Sequence, residues 1–144
     1  MTDDTYTVSA IRRRRQRKPA PRIDGPADIH RILAPLLRDA DREHFYVLLL
    51  STKNHVLAVE LVSVGSLSAS IVHPREVFKP AIVKSAAAIV VAHNHPSGLL
   101  DPSPEDTAFT DRLQRAGELL GIRLLDHVIV ANGDFLSLKE RGDL

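Results

Sequence analysis

The chain contains no cysteine, and this absence excludes disulfide bonds, thiolate metal sites and cysteine nucleophiles. Long hydrophobic runs are also absent. The longest strictly apolar run covers the seven residues 86–92, whereas a helix that spans a bilayer needs about 20. No apolar stretch follows the positive charges near the N-terminus, so the sequence predicts no secretory signal. We therefore expect a cytoplasmic protein with no membrane partner.

The charge of the chain is unevenly distributed over its 144 residues, a length that suits one domain. Residues 1–26 carry seven Lys and Arg against three Asp and Glu, whereas residues 27–144 carry twelve against fifteen. Six of the seven residues 12–18 are cationic, and three prolines follow before residue 27. Because like charges and proline both oppose compaction, we predict a disordered basic arm over residues 1–26 and a domain over residues 27–144.

The basic arm has two interpretations. Its cations could neutralise phosphate groups, which would make nucleic acid a partner of the segment from Arg12 to Lys18. The arm could equally be a solvated tail without a partner, since no aromatic residue for base stacking is interleaved with the cations.

Hydrophobic periodicity predicts about three helices. An amphipathic helix is expected from Ile29 to near Asp41, with Pro35 as a point where it could bend. Pro74 is expected to open a second helix. A third helix is expected to begin near Pro104 and to end at a glycine, Gly121.

Short apolar runs between these helices predict strands at residues 45–50, 55–64, 68–72, 88–92, 122–131 and 135–138. The pair Asn132-Gly133 is typical of a type I′ hairpin turn between the last two strands. The order of elements predicts an α/β or α+β fold, in which a mixed β-sheet is flanked by about three helices.

A candidate metal site follows the predicted strand at residues 88–92, where the sequence reads His93-Asn94-His95. Two histidines at i and i+2 point to the same side if the chain stays extended. Asp106 follows in the first turn of the predicted third helix. Two imidazoles and one carboxylate are a recurring ligand set of catalytic Zn²⁺, which leaves a fourth position for water. Zinc lowers the pKa of such a water and polarises a carbonyl group.

Each half of this pattern also has an ordinary structural interpretation. Ser103 before the helix, Pro104 at its first position and Asp106 at its third are typical of a capping box. The two histidines could bond to nearby backbone in a polar loop. The complete string His-x-His-x7-Ser-x-x-Asp is more specific than either half.

The same string matches the motif of the JAMM metalloproteases without a gap. Three phrases resemble one branch of that class, the RadC family: HPREVFKPA at residues 73–81, HNHPSG at 93–98 and LDHVIV at 125–130. The resemblance extends over residues 27–140 and implies the cytidine-deaminase-like JAB/MPN fold. Full-length RadC proteins, long labelled DNA repair proteins, carry a preceding helix-hairpin-helix region associated with DNA binding. Residues 1–26 stand in its place here, so we expect a standalone domain.

The resemblance implies that His93, His95 and Asp106 hold one Zn²⁺ per chain. It also implies that Ser103 helps to stabilise the oxyanion that forms when water attacks a carbonyl group. We expect the cap at Ser103 to survive metal binding, and the Asp106 carboxylate to leave its capping position and turn to the metal.

The family also needs a glutamate as general base. Glu43 is the first choice, because it leads into the strand predicted at residues 45–50 as the base of the family typically does. Glu76 is the runner-up, although it could instead be an acid stabilised by a helix N-terminus. Glu60 lies in mid-strand and Glu105 lies too close to the cap, so both fit less well.

These features predict a zinc metallopeptidase that hydrolyses a peptide or isopeptide bond. The alternative is a non-catalytic DNA repair or recombination accessory protein that binds nucleic acid through the basic arm. The spacing to Ser103 and Asp106 argues against an HNH nuclease, and the open ligand set argues against a purely structural zinc site. Asp126 and His127 could support a ligand or form a hydrogen-bonded pair in the core. The substrate and the identity of the metal stay open.

Overall fold

The computed structural model describes residues 20–65 and 72–144, which form a mixed sheet with helices on both faces. The helices are α1 Pro26–Leu37, α2 Pro74–Val83, α3 Pro104–Leu120 and α4 Leu138–Arg141. The strands are β1 Glu43–Leu50, β2 Val56–Gly65, β3 Ala88–Asn94, β4 Arg123–Ala131 and β5 Asp134–Ser137. No helix in this part of the chain is long and apolar enough to cross a bilayer. The predicted mixed sheet with flanking helices is confirmed.

The sheet has the strand order β2-β1-β3-β4-β5, and its only parallel pair among these strands is β3 with β4. A parallel pair needs a crossover connection, and α3 provides it. The last residues of β3 and the start of α3 therefore lie at the same edge of the sheet. Because β1 runs antiparallel to β3, the first residues of β1 reach that edge as well.

Alternating side chains divide the core into two layers. On one face of the sheet, Leu48 of β1 belongs to a cluster with Leu33 of α1. On the other face, Val47 belongs to a cluster with Phe78 of α2 and Leu113 of α3. Both faces of β3 are covered, and all seven of its residues are buried. This double coverage explains why β3 reads as a continuous apolar run in the sequence.

The helix starts predicted at Pro74 and Pro104 are confirmed, and Gly121 ends α3 in the left-handed conformation with φ 72°. The first helix, by contrast, ends at Leu37 instead of near Asp41. Two negative charges, on Asp39 and Asp41, oppose the helix dipole at that end. Pro35 lies inside the last turn and does not end the helix.

Two of the strand predictions need correction. His93 and Asn94, predicted as loop, continue β3, because they pair with β1 and β4 respectively. The strand predicted at residues 135–138 ends at Ser137, whose hydroxyl accepts a hydrogen bond from the Glu140 N–H at 3.1 Å and caps α4. The strand predicted at residues 68–72 lies outside the described residues apart from Val72. The predicted hairpin turn is confirmed, since Asn132 and Gly133 both have positive φ, 49° and 73°.

The described part of the predicted arm is packed against the domain. The Ile23 N–H donates to the Asn54 carbonyl oxygen at 2.8 Å, and the Pro21 carbonyl oxygen accepts from the Val56 N–H at 2.8 Å. Ile23 is buried in the α1-side layer of the core. The folded part therefore begins before residue 27, because these bonds extend the backbone pairing of the β1–β2 hairpin. Residues 1–19 of the predicted arm lie outside the described residues.

We predict that Gly117→Ala destabilises the domain. A Cβ atom at this buried position would clash with the Ile122 carbonyl oxygen. Because this oxygen belongs to the backbone, it could move away only if the start of β4 moved with it. Overpacking of this kind costs about 1–3 kcal/mol, which exceeds the roughly 1 kcal/mol that alanine gains over glycine in a helix. Urea denaturation would measure the difference.

The exposed neighbour Glu118 provides the control, because Glu118→Ala should change the free energy of unfolding by about 0.5 kcal/mol or less. A Gly117→Ala protein that is as stable as the wild type, or more stable, would contradict the packing described here.

Candidate metal centre

Four side chains from three elements meet at the edge of the sheet where β3 ends. Glu43 is the first residue of β1, His93 lies in β3, His95 follows it, and Asp106 lies in the first turn of α3. Each offers one ligand atom, and these four atoms lie within 4.8 Å of one another. The antiparallel β1–β3 pair and the β3–α3–β4 crossover bring them together.

The closest contacts involve the Nε2 atoms of the two histidines, which are 3.0 Å apart. Each carboxylate oxygen of Asp106 faces one of the two histidines. Oδ1 lies 3.3 Å from His93 Nε2, and Oδ2 lies 3.1 Å from His95 Nε2. Glu43 Oε1 is more distant, at 3.6 Å from His93 Nε2. His93 is fully buried, whereas the side chains of the other three residues retain 14–15% of their exposure.

The donor and acceptor pattern of this cluster fits a divalent cation. His95 Nδ1 lies 2.8 Å from the Leu99 carbonyl oxygen, which can only accept, so Nδ1 carries the hydrogen. A neutral His95 then presents the lone pair of Nε2 to the cluster, beside the two carboxylates. Converging lone pairs and anionic oxygens repel one another unless a cation lies between them. Two imidazole nitrogens and carboxylate oxygens are ligands that Zn²⁺ accepts.

Electrostatic effects in the cluster follow from burial and from contact with opposite charges. Burial raises the pKa of Glu43, and the nearby His93 offsets only part of this effect. Burial also opposes the charge of Asp106, but the hydrogen bonds that His93 and His95 donate to it when their rings are protonated outweigh burial and hold the pKa of Asp106 far below its ordinary value. The hydrogen bond to Asp106 raises the pKa of His95. Asp106 is therefore the most firmly ionised group of the cluster.

The predicted capping box at the start of α3 is confirmed. The Ser103 hydroxyl accepts a hydrogen bond from the Asp106 N–H at 3.0 Å, and Asp106 Oδ2 accepts one from the Ser103 N–H at 2.9 Å. The same carboxylate faces both histidines. It does so while it caps α3, so the two sets of contacts are compatible in this structure, and the departure of the carboxylate from the cap on zinc binding stays a prediction. Its two oxygens and several lone pairs are enough for both sets of contacts.

The other candidate glutamates lie away from the cluster. Glu76 belongs to the capping box of α2, where its carboxylate accepts from the His73 N–H at 3.5 Å. Glu60 forms an ion pair with Lys84 at 3.6 Å. Glu105 is exposed in the first turn of α3. Among the described glutamates, Glu43 is the one that the fold brings to the histidines.

Asp126 and His127 are not paired through their side chains. The Asp126 carboxylate accepts from the Ser137 hydroxyl at 2.6 Å and from the Lys139 N–H at 3.1 Å, and so holds the start of α4. His127 belongs to the opposite face, where its Nε2 lies 2.7 Å from His93 Nδ1. Burial lowers the pKa of His127 well below its ordinary value. His127 therefore supports a residue of the cluster, whereas Asp126 has a structural role.

Asn94 is a residue of the site that sequence reasoning missed. Its side chain points away from the cluster and bridges the backbone on both sides of Glu43. Oδ1 accepts from the His44 N–H at 2.6 Å, and Nδ2 donates to the Arg42 carbonyl oxygen at 2.9 Å. Asn94 is only 5% exposed. A buried polar residue between the two histidines was the available signal, but its partners lie some 50 residues earlier in the chain.

The mixed sheet, the helices on both of its faces and the cluster at the end of β3 are the features of a domain of the JAB type. The profile of the RadC-like JAB domain matches residues 23–143. The chain belongs to this family, which confirms the resemblance seen in the sequence.

Similar proteins span a wide range of organisms. A UPF0758 protein of Rubrobacter xylanophilus is 56% identical over 124 residues, which is 86% of this chain and 54% of that protein. A UPF0758 protein of Shouchella clausii is 53% identical over 122 residues, which is 85% of this chain and 53% of that protein. A UPF0758 protein of Methanosarcina mazei is 48% identical over 125 residues, which is 87% of this chain and 55% of that protein. The chain spans about half the length of the curated relatives it matches, and their names state no activity.

We predict that Asn94→Ala destabilises the domain and loosens the start of β1. The substitution leaves the His44 N–H without its side-chain partner, and a buried unsatisfied donor costs about 1–3 kcal/mol. The Arg42 carbonyl oxygen loses its bond from Asn94 but still lies 2.9 Å from His44 Nδ1. Urea denaturation would measure the loss of stability, and hydrogen exchange at the His44 amide would show whether protection falls.

Ser97→Ala, in the loop that follows β3, is the matched control, since the Ser97 hydroxyl is exposed and makes only a long contact of 3.4 Å with the Leu99 N–H. An Asn94→Ala protein with unchanged protection at His44 would show that the side chain does not hold this segment.

Proposed function

We propose that this domain is a zinc-dependent hydrolase of peptide or isopeptide bonds. The observation that carries the proposal is the convergence of His93, His95, Asp106 and Glu43 within 4.8 Å, at one partly open edge of the sheet. Membership of the RadC-like JAB family supports it. The names of the relatives neither add to nor subtract from it.

The four residues divide into three that would hold the metal and one that would move a proton. His93 and His95 offer Nε2 atoms, and Asp106 is fixed by its hydrogen bond from the Ser103 N–H. Glu43 approaches the cluster less closely than Asp106 does, with Oε1 3.6 Å from His93 Nε2. A carboxylate that is positioned but not tightly bonded is suited to accept a proton and release it again.

When bound, zinc would supply Lewis acidity, which lowers the pKa of a water and polarises the scissile carbonyl. Glu43 takes a proton from the attacking water at a carboxylate oxygen and later returns it to the leaving nitrogen. A C–O bond forms and the C–N bond breaks, so one water is consumed. The Ser103 hydroxyl, whose oxygen already accepts from the Asp106 N–H, can donate its hydrogen to the developing oxyanion.

The charge of the N-terminal segment supports a second proposal, contact with nucleic acid. Residues 12–18 contain six cations, and phosphate neutralisation would give such binding a steep dependence on salt. This function would need the basic segment and not the cluster. The two proposals are therefore separable by which part of the chain they require.

The first test is zinc content, measured by elemental analysis of untagged protein after dialysis against excess zinc and then against buffer. We expect about one zinc per chain in the wild type and in Glu43→Gln. His95→Ala and Asp106→Ala should lose it, because each removes a ligand atom. Glu76→Gln is the matched control, since its carboxylate serves only the α2 cap. A folded wild-type protein that takes up no zinc would sink the hydrolase proposal.

The second test is cleavage, with random-sequence decapeptides and lysine-isopeptide-linked peptides as probes and mass spectrometry as readout. Glu43→Gln should lower the cleavage rate by about 10²–10⁴-fold while keeping its zinc, because only the proton-transfer group is removed. Glu76→Gln should cleave at the wild-type rate. Zinc-loaded protein that cleaves neither kind of probe would favour a structural zinc site.

A further inference from the structure

We propose that His127 and Thr110 are positioning residues that hold His93 in the one tautomer able to bind zinc through Nε2. The inference rests on the proposed function and adds a buried hydrogen-bond relay behind the site. The relay runs from α3 through β4 to β3, and it ends at a residue of the cluster.

The relay consists of three short contacts in sequence. The Thr110 hydroxyl donates to the Asp106 carbonyl oxygen at 2.7 Å. Thr110 Oγ1 lies 2.6 Å from His127 Nδ1, and His127 Nε2 lies 2.7 Å from His93 Nδ1. Thr110 is 1% exposed, and both histidines are fully buried. Protein groups alone therefore decide where the hydrogens lie.

The direction of each hydrogen bond follows from the first one. A hydroxyl has one hydrogen, and Thr110 gives it to the Asp106 carbonyl, so Oγ1 must accept from His127 Nδ1–H. A neutral His127 with its hydrogen on Nδ1 has a lone pair on Nε2. That lone pair accepts from His93 Nδ1–H, and His93 is left with a lone pair on Nε2, the atom that faces the cluster.

The reverse direction would disable the site. If Thr110 gave its hydrogen to His127 Nδ1, His127 would carry a hydrogen on Nε2 and donate it to His93 Nδ1. His93 would then carry its own hydrogen on Nε2, where a metal ligand needs a lone pair. The Asp106 carbonyl prevents this, because it lies one helical turn before Thr110 and draws the hydroxyl hydrogen to itself.

A neutral imidazole suits this place better than the carboxylate that often supports a metal-bound histidine. The two charges of a zinc ion would be balanced by Asp106 and Glu43 alone. A third carboxylate behind His93 would add an unbalanced charge in a fully buried place, which is costly. The ring of His127 instead packs edge-on against Phe45, with ring centres 5.8 Å apart.

The relay also links two of the metal-holding residues to each other. It starts at the backbone of Asp106 and ends at the side chain of His93. Moving α3 relative to the sheet would therefore disturb the position of one residue and the tautomer of the other. Loss of a supporting hydrogen bond of this kind typically weakens metal binding by about 10–100-fold.

The test compares Thr110→Val, which keeps the shape and removes the hydroxyl, with Thr110→Ser, which keeps the hydroxyl. Zinc affinity would be measured by competition with a chromophoric chelator. We expect Thr110→Val to bind zinc about 10–100-fold more weakly and Thr110→Ser to stay close to the wild type. Thr107→Val, an exposed substitution on the same helix, is the matched control. If Thr110 serves only packing, the valine variant will bind zinc like the wild type and overturn the proposal.

A second readout needs no metal. The side-chain ¹⁵N chemical shifts of zinc-free protein report which ring nitrogen carries hydrogen, and we expect Nδ1–H for both His93 and His127. In Thr110→Val the two residues should shift toward the Nε2–H form together. His127→Phe keeps the ring packing and removes the acceptor, so it should move His93 alone. Nε2–H at His127 in the wild type would overturn the relay.

The two readouts separate this inference from the proposed function. A wild-type protein that binds no zinc overturns both. Wild-type zinc binding together with an unchanged affinity in Thr110→Val overturns the relay alone and leaves the hydrolase proposal standing.

Discussion

The parallel pairing of β3 with β4 is the constraint on which the rest of the structure depends. A parallel pair forces the chain to leave β3 at one edge of the sheet, cross over a face as α3 and return to the other edge. The end of β3 and the start of α3 therefore share an edge, and the side chains of His93 and Asp106 meet there. The antiparallel β1 brings Glu43 to the same place. Losing the β3–β4 crossover would take Asp106 away from the histidines, whereas the position of Glu43 depends on the β1–β3 pairing.

The structure holds the carboxylates of Asp106 and Glu43 in different ways, and each arrangement suits the role proposed for that residue. Asp106 is fixed directly, because its carboxylate is part of the α3 capping box. Glu43 is fixed through its backbone, since Asn94 holds both neighbouring peptide groups and leaves the carboxylate itself without a hydrogen-bond partner among the described residues. A ligand benefits from rigid atoms, whereas a group that accepts and returns a proton must move slightly between partners.

The sequence was sufficient for those parts of the fold and site that depend on local pattern. The capping box at Ser103, the left-handed Gly121 and the Asn132-Gly133 turn follow from neighbouring residues, and each lies where the pattern placed it. The extension of β3 through His93 could not be read locally, because it depends on pairing with β1 and β4. The end of α1 at Leu37 shows the same limit, since the prediction used only the spacing of apolar residues and did not consider the charged residues that follow the helix.

The roles of Thr110 and Asn94 could not be predicted from the sequence for a related reason. A threonine inside a helix and an asparagine in an apparent loop are ordinary residues until their partners are known, and those partners come from other elements. The sequence leaves open whether Asp126 and His127 support a ligand or form a pair in the core, because it does not show that strand alternation sends the two side chains to opposite faces. The candidate metal ligands can thus be found from spacing along the chain, whereas the residues proposed to orient them are defined by register between strands. A search for function in this family that stops at the string His-x-His-x7-Ser-x-x-Asp would therefore miss Thr110 and His127, the residues that we propose hold His93 in the tautomer suited to a metal.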